Sequence, residues 1–97
     1  MSFKVIVRSS IRRRISAWAV PDVLLVDIYL RLQDDLGKNP WDRMVRISDP
    51  FDGMAYGFSL VDPTNRFREH RFVFHVRIRA DEETLEVVNA GHSVTEL

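Results

Sequence analysis

Apolar and polar residues alternate in some stretches of this chain and recur every three or four positions in others. These two periods divide it into elements. Phe3, Val5 and Val7 alternate with Lys4 and Ile6, which predicts a short opening strand. Ser9 or Ser10 is then placed to cap a helix, and Ile11, Ile15 and Trp18 give that helix one apolar side. Arg12, Arg13, Arg14 and Ser16 occupy its other side. Pro21 ends this helix or begins the next, because its ring forbids an interior hydrogen bond. From Asp22, the expected cap, to about Leu36 a second helix is predicted, with Leu25, Ile28, Leu32 and Leu36 as its core stripe. Val23, Leu24, Val26, Tyr29 and Leu30 widen that stripe beyond an ordinary amphipathic face. The width implies either deep burial between a sheet and the first helix, or a face that receives a partner segment. Gly37 and Asn39-Pro40 stop the helix.

After Trp41 the period falls to two. A short strand is expected over Met44–Ile47, then a turn at Asp49-Pro50-Phe51-Asp52-Gly53. Tyr56, Phe58 and Leu60 alternate with Gly57, Ser59 and Val61, and Asp62-Pro63-Thr64-Asn65 makes the next turn. A long strand follows from about Glu69 to Arg79, a turn at Asp81-Glu82-Glu83, and a last strand over Leu85–Ala90. Helices grouped ahead of a run of strands predict an α+β fold: a strand, a two-helix hairpin, then an antiparallel meander of three to four strands. No repeat or linker divides the chain, so residues 1–97 are expected to form one domain.

Composition narrows the chemistry. The absence of cysteine excludes a disulfide scaffold, a thiolate metal site and a cysteine nucleophile. No leader is recognisable, and no apolar run reaches the 18 or so residues of a membrane span, so no membrane partner and a cytoplasmic location are expected. The 14 basic and 14 acidic side chains cancel, but unevenly. Residues 1–48 carry nine basic and five acidic groups and residues 49–97 the reverse, and all five basic groups of the second half fall between Arg66 and Arg79. Any anion site is therefore built locally, around the long strand.

On that strand alternation sets Arg71, His75, Arg77 and Arg79 against Phe72, Phe74 and Val76. Alternate side chains on a strand stand roughly 7 Å apart, close to the phosphate spacing of an extended nucleic acid. Gly57 and Ser59 of the neighbouring strand leave room above them. The competing reading is a solvated face whose arginines pair with Glu83, Glu86 or Asp62. His70 and His75 differ in parity and cannot chelate one ion, and neither has a second ligand at metal spacing, so no metal is expected; with no glycine-rich phosphate loop, no cofactor is expected either. His92, after Gly91 at the expected end of the last strand, suits a general acid or base, or is a plain exposed histidine.

The order of elements, with Tyr56-Gly57-Phe58-Ser59-Leu60, His70-Arg71-Phe72-Val73-Phe74-His75-Val76 and Leu85-Glu86-Val87-Val88-Asn89-Ala90-Gly91-His92, resembles the RelE/ParE superfamily of bacterial toxin–antitoxin toxins. The resemblance implies a toxin held by a cognate antitoxin in a hetero-oligomer. Following its ribosome-dependent members, it implies a metal-independent endoribonuclease that cuts mRNA in the ribosome. Arg71 then falls on the arginine that stabilises the phosphorane-like transition state, and His92 on the general acid for the leaving 5′-oxygen. Both are expected on one concave sheet face, with Ser59, His75, Arg77 and Arg79 as further substrate contacts. Gly57, Ser59 and Ser93 stand where the RelE type carries basic residues. That departure keeps two alternatives open: a ParE-like inhibitor that binds DNA gyrase, and an inactive interaction domain of the same fold.

Overall fold

A computed structural model describes residues 3–47 and 53–97. The turn expected at Asp49–Gly53 lies largely outside the described residues. The opening strand β1 spans Lys4–Val7, with Phe3, Val5 and Val7 buried on one side. Helix α1 follows over Ser9–Ser16 and buries Ile11 and Ile15. Its cap is Arg8 in extended backbone, with no side-chain capping bond, so Ser9 and Ser10 lie inside the helix and do not cap it. Helix α2 covers Asp22–Leu30 and begins on Pro21, whose fixed φ suits a helix start; Asp22 is its first residue and not its cap. The helix runs on through a wider π-helical turn over Arg31–Leu36.

The core stripe of α2 proves to be Leu24, Ile28, Leu32 and Leu36, with Leu25 and Tyr29 half-buried at its margin. Val23, Val26 and Leu30, at spacings of three and four, remain 55–60% exposed. Deep burial therefore accounts for only one side of the broad apolar face. Gly37 is required by close approach: a Cβ there would meet the Gln33 carbonyl oxygen at 2.4 Å and the Phe3 carbonyl oxygen at 3.0 Å. The Phe3 N–H donates to the Gly37 carbonyl at 2.7 Å, locking the end of the helical segment to β1. Asn39-Pro40 does not leave helix for good, because Pro40–Arg43 forms a further short helix, α3, with proline at its permitted first position.

Strands β2 (Val45–Ile47), β3 (Gly53–Asp62), β4 (Asn65–Arg79) and β5 (Thr84–Glu96) form the predicted antiparallel meander. Strand β1 joins it in parallel beside the start of β5, giving the order β1-β5-β4-β3-β2. The helices cover one face. Ile15, Ile28, Leu32, Leu36, Phe72, Phe74, Val76, Leu85 and Val87 are buried to 2% exposure or less between the two layers. A bulge leaves Val88 without a partner on β4, since His75 pairs with Asn89 and Val76 with Val87. The extra residue keeps Ala90, Val87 and Leu85 all on the inner face.

One boundary moves far enough to change the candidate site. Strand β5 does not stop at Ala90 but continues to Glu96, so His92 sits within a paired stretch opposite Phe72. Among the described residues no helix is long and apolar enough to cross a membrane.

Candidate functional site

Two sets of polar residues occupy opposite faces of the sheet. On the outer face, cross-strand register lines up Ser59, Arg71 and Ser93 in one row. The next rows are Gly57, Val73 and Gly91, then Ala55, His75 and Asn89. The two glycines leave Val73 as the floor of a shallow depression of about 230 Å³, lined by Gly57, Phe58, Ser59, Arg71, Phe72 and Val73. A Cβ on Gly91 would meet nothing within 4 Å, so the floor stays open on that side as well. The Arg71 side chain is 61% exposed, and its ion pair is a 4.0 Å contact with Glu69. Its guanidinium can thus turn toward an anion at little cost in lost interactions.

Arg77 and Arg79 continue this face toward the other end of β4. Arg77 approaches Glu86 at 4.0 Å, and Glu86 is also bound by Arg8 at 2.9 Å. The solvated-face reading is therefore partly right for Arg77. Asp62, by contrast, pairs with a histidine and not with an arginine. The structure brings Ser59, Arg71, His75, Arg77 and Arg79 onto one face.

It does not bring His92 to them. Register opposite Phe72 puts His92 on the inner face, while Arg71 lies opposite Ser93 on the outer one. The expectation that Arg71 and His92 share one concave face is thereby overturned. The physical cause is parity: Gly91 does not end the strand, and alternation carried through Val94 turns the imidazole inward.

There His92 belongs to a second constellation. His70, 2% exposed, lies with Nε2 2.8 Å from Asp62 Oδ2 and with Nδ1 3.0 Å from His92 Nε2. The Thr64 hydroxyl and N–H donate to Asp62 Oδ1 at 2.7 and 2.8 Å. These donors, His70 first and Thr64 next, hold the Asp62 carboxyl well below the usual carboxylate range. Burial, and then the neighbouring His70, push the His92 imidazole down from its ordinary value. Trp18, just past α1, stacks on His92 with ring centroids 5.3 Å apart and on Phe72 at 5.7 Å. Elsewhere on the inner face, the Tyr56 hydroxyl donates to Asp35 at 2.8 Å, and burial together with that bond raises the phenol well above its normal range.

The Asp62–His70–His92 chain was not anticipated, because each residue reads locally as a turn acid, a core histidine and a strand-end histidine. Two signals were available: Asp62 and His70 flank one tight turn, and His92 and Val94 continue the alternation beyond Gly91.

With a β-α-α opening and a four-stranded antiparallel meander closed by the parallel first strand, the chain has a RelE-like α+β fold. It is similar over its length to a chain in the crystal structure of the toxin–antitoxin complex RelBE2 from Mycobacterium tuberculosis. The TM-score is 0.70, with 16% identity, over 96% of this chain and 100% of that one. No family model and no curated protein sequence matches.

Proposed function

We propose that this protein is the toxin of a toxin–antitoxin pair and that it acts on mRNA through the outer face of its sheet. The observation that carries this reading is the single face shared by Ser59, Arg71, His75, Arg77 and Arg79, with Ser59 and Arg71 lining the shallow depression over Val73, on a fold also found in a toxin–antitoxin complex. Three arginines on one strand face, Arg71, Arg77 and Arg79, beside an open floor suit a phosphodiester backbone. In cleavage, the substrate 2′-oxygen would attack the adjacent phosphorus while the 5′-oxygen leaves, forming a cyclic phosphate. Arg71 would stabilise the charge that builds on the phosphoryl oxygens. With His92 on the other face, His75, four residues from Arg71, is the histidine that the outer face of β4 offers to a bound strand. The antitoxin would cover the exposed Val23, Val26 and Leu30 stripe of α2, which the fold itself leaves bare.

A second reading is favoured by one specific observation. With Arg71 and His92 on opposite faces and no lysine on β3, the outer face carries a sparse set of catalytic groups. That suits a ParE-like toxin that inhibits DNA gyrase by binding. Induced expression in bacteria tests both. Growth arrest with mRNA cleavage, relieved by co-expressing a small neighbouring reading frame, is the expected result. Arrest with DNA damage and intact mRNA supports the gyrase reading, and absence of arrest refutes both.

A further inference from the structure

We propose that Asp62, His70 and His92 form a proton-operated latch that accepts one proton intact and is opened by a second. The inference is independent of the toxin reading. Ionised Asp62 can only accept, so His70 must carry hydrogen on Nε2, which points at the carboxylate from 2.8 Å. Neutral His70 then has a bare Nδ1, and His92 must donate to it from Nε2 at 3.0 Å. One tautomer is thus dictated at each ring.

A first proton enters at half-buried His92, the solvent end of the chain, and binds Nδ1. The hydrogen on His92 Nε2 passes to His70 Nδ1. His70 becomes an imidazolium lying between the Asp62 carboxylate and a neutral His92, and every hydrogen bond survives with the second one reversed. A second proton has only His92 Nε2 to occupy, where the His70 N–H already points. Two N–H groups would then face each other across 3.0 Å, between two charged rings whose centroids lie 5.2 Å apart. The contact must open.

The surrounding charges do not prevent this. Asp62 is the carboxylate bound to the chain and is already held by His70 and Thr64. In the next row on the inner face Glu96 is paired with Arg68 at 2.7 Å. From α1, Arg14 reaches the Asn89 side chain and the Ala90 carbonyl of β5, adding a cation and no anion. The Trp18 ring over His92 is uncharged.

The latch sits where the sheet is least braced. Strand β1 pairs with residues 84–87 of β5, so among the described residues the stretch carrying His92 is held within the sheet by β4. Opening the chain would release Trp18 and loosen residues 91–97.

Nitrogen-15 NMR of the intact protein labelled on histidine tests the idea. At neutral pH, His70 should be protonated on Nε2 alone and His92 on Nε2. As pH falls, His70 should become doubly protonated while His92 switches to its Nδ1–H form, with Trp18 fluorescence unchanged. At lower pH, His92 titration should coincide with a Trp18 emission change, read in a Trp41→Phe background, and with faster amide exchange over residues 91–97. His92→Phe, which keeps a ring under Trp18, should abolish that transition. Independent titration of the two rings, no tautomer switch, or a Trp18 transition that persists in His92→Phe would overturn the latch. Should His92→Phe fail to fold, the tautomers of the unaltered chain decide the matter alone.

Discussion

On its inner face β4 presents His70, Phe72, Phe74 and Val76, all at most 2% exposed; on its outer face the same strand presents Arg71, Val73, His75 and Arg77. Consecutive residues thus serve opposite ends, because a strand turns alternate side chains through the sheet. The inner set is held by packing, with Phe72 touching Trp18, Phe58 and His92 at centroid distances of 5.2–5.7 Å. On the outer face register fixes the backbone positions of Ser59, Arg71 and Ser93, and the 4.0 Å contact of Arg71 with Glu69 leaves the arginine tip able to reorient. The contrast teaches that a charged residue on β4 can be changed without touching the core, whereas its immediate neighbours cannot.

Substitutions at adjacent positions break or sharpen that contrast. Phe72→Ala should cost about 3–5 kcal/mol by denaturant unfolding, because it empties a fully buried ring site. Val73→Ala, one residue on, should stay within about 0.5 kcal/mol; equal losses would dissolve the distinction between the faces. Tyr56→Phe should cost about 0.5–1.5 kcal/mol by removing the hydrogen bond to Asp35 while keeping the ring. A smaller effect is expected in pH dependence. The His92 pKa is lowered in the fold, so the unfolded chain takes up the proton first, and stability should begin to fall as pH drops below about 6.5. The Asp62 pKa is also lowered, so its contribution is present above about 3.8 and is lost as pH falls through its folded value. Both slopes have one sign, with stability rising with pH, and His92→Phe should remove the upper one.

Much of this division was legible in the sequence. Strict alternation from His70 to Arg79 and from Tyr56 to Val61 gave the faces of both strands, since one of them had to be apolar throughout. The exposed half of the α2 stripe was visible only as excess: periodicity says which residues are apolar, not how many a second layer can cover. His92 was misplaced because Gly91 and the polar run after it read as the end of a strand. Cross-strand pairing with residues 68–73 overrode that local signal and carried β5 six residues beyond Ala90. The hydrogen-bonded chain was invisible for the same reason, since three separate segments meet in it only once register is fixed.

The claim that function lives on the outer face is tested most directly by mapping mRNA 5′ ends after inducing the unaltered protein and Arg71→Ala, with folding of both checked by thermal unfolding. New ends within codons for the unaltered chain, and their loss in Arg71→Ala at unchanged Tm, are the predicted result. Growth arrest without new ends, or equal cleavage by Arg71→Ala, would contradict it.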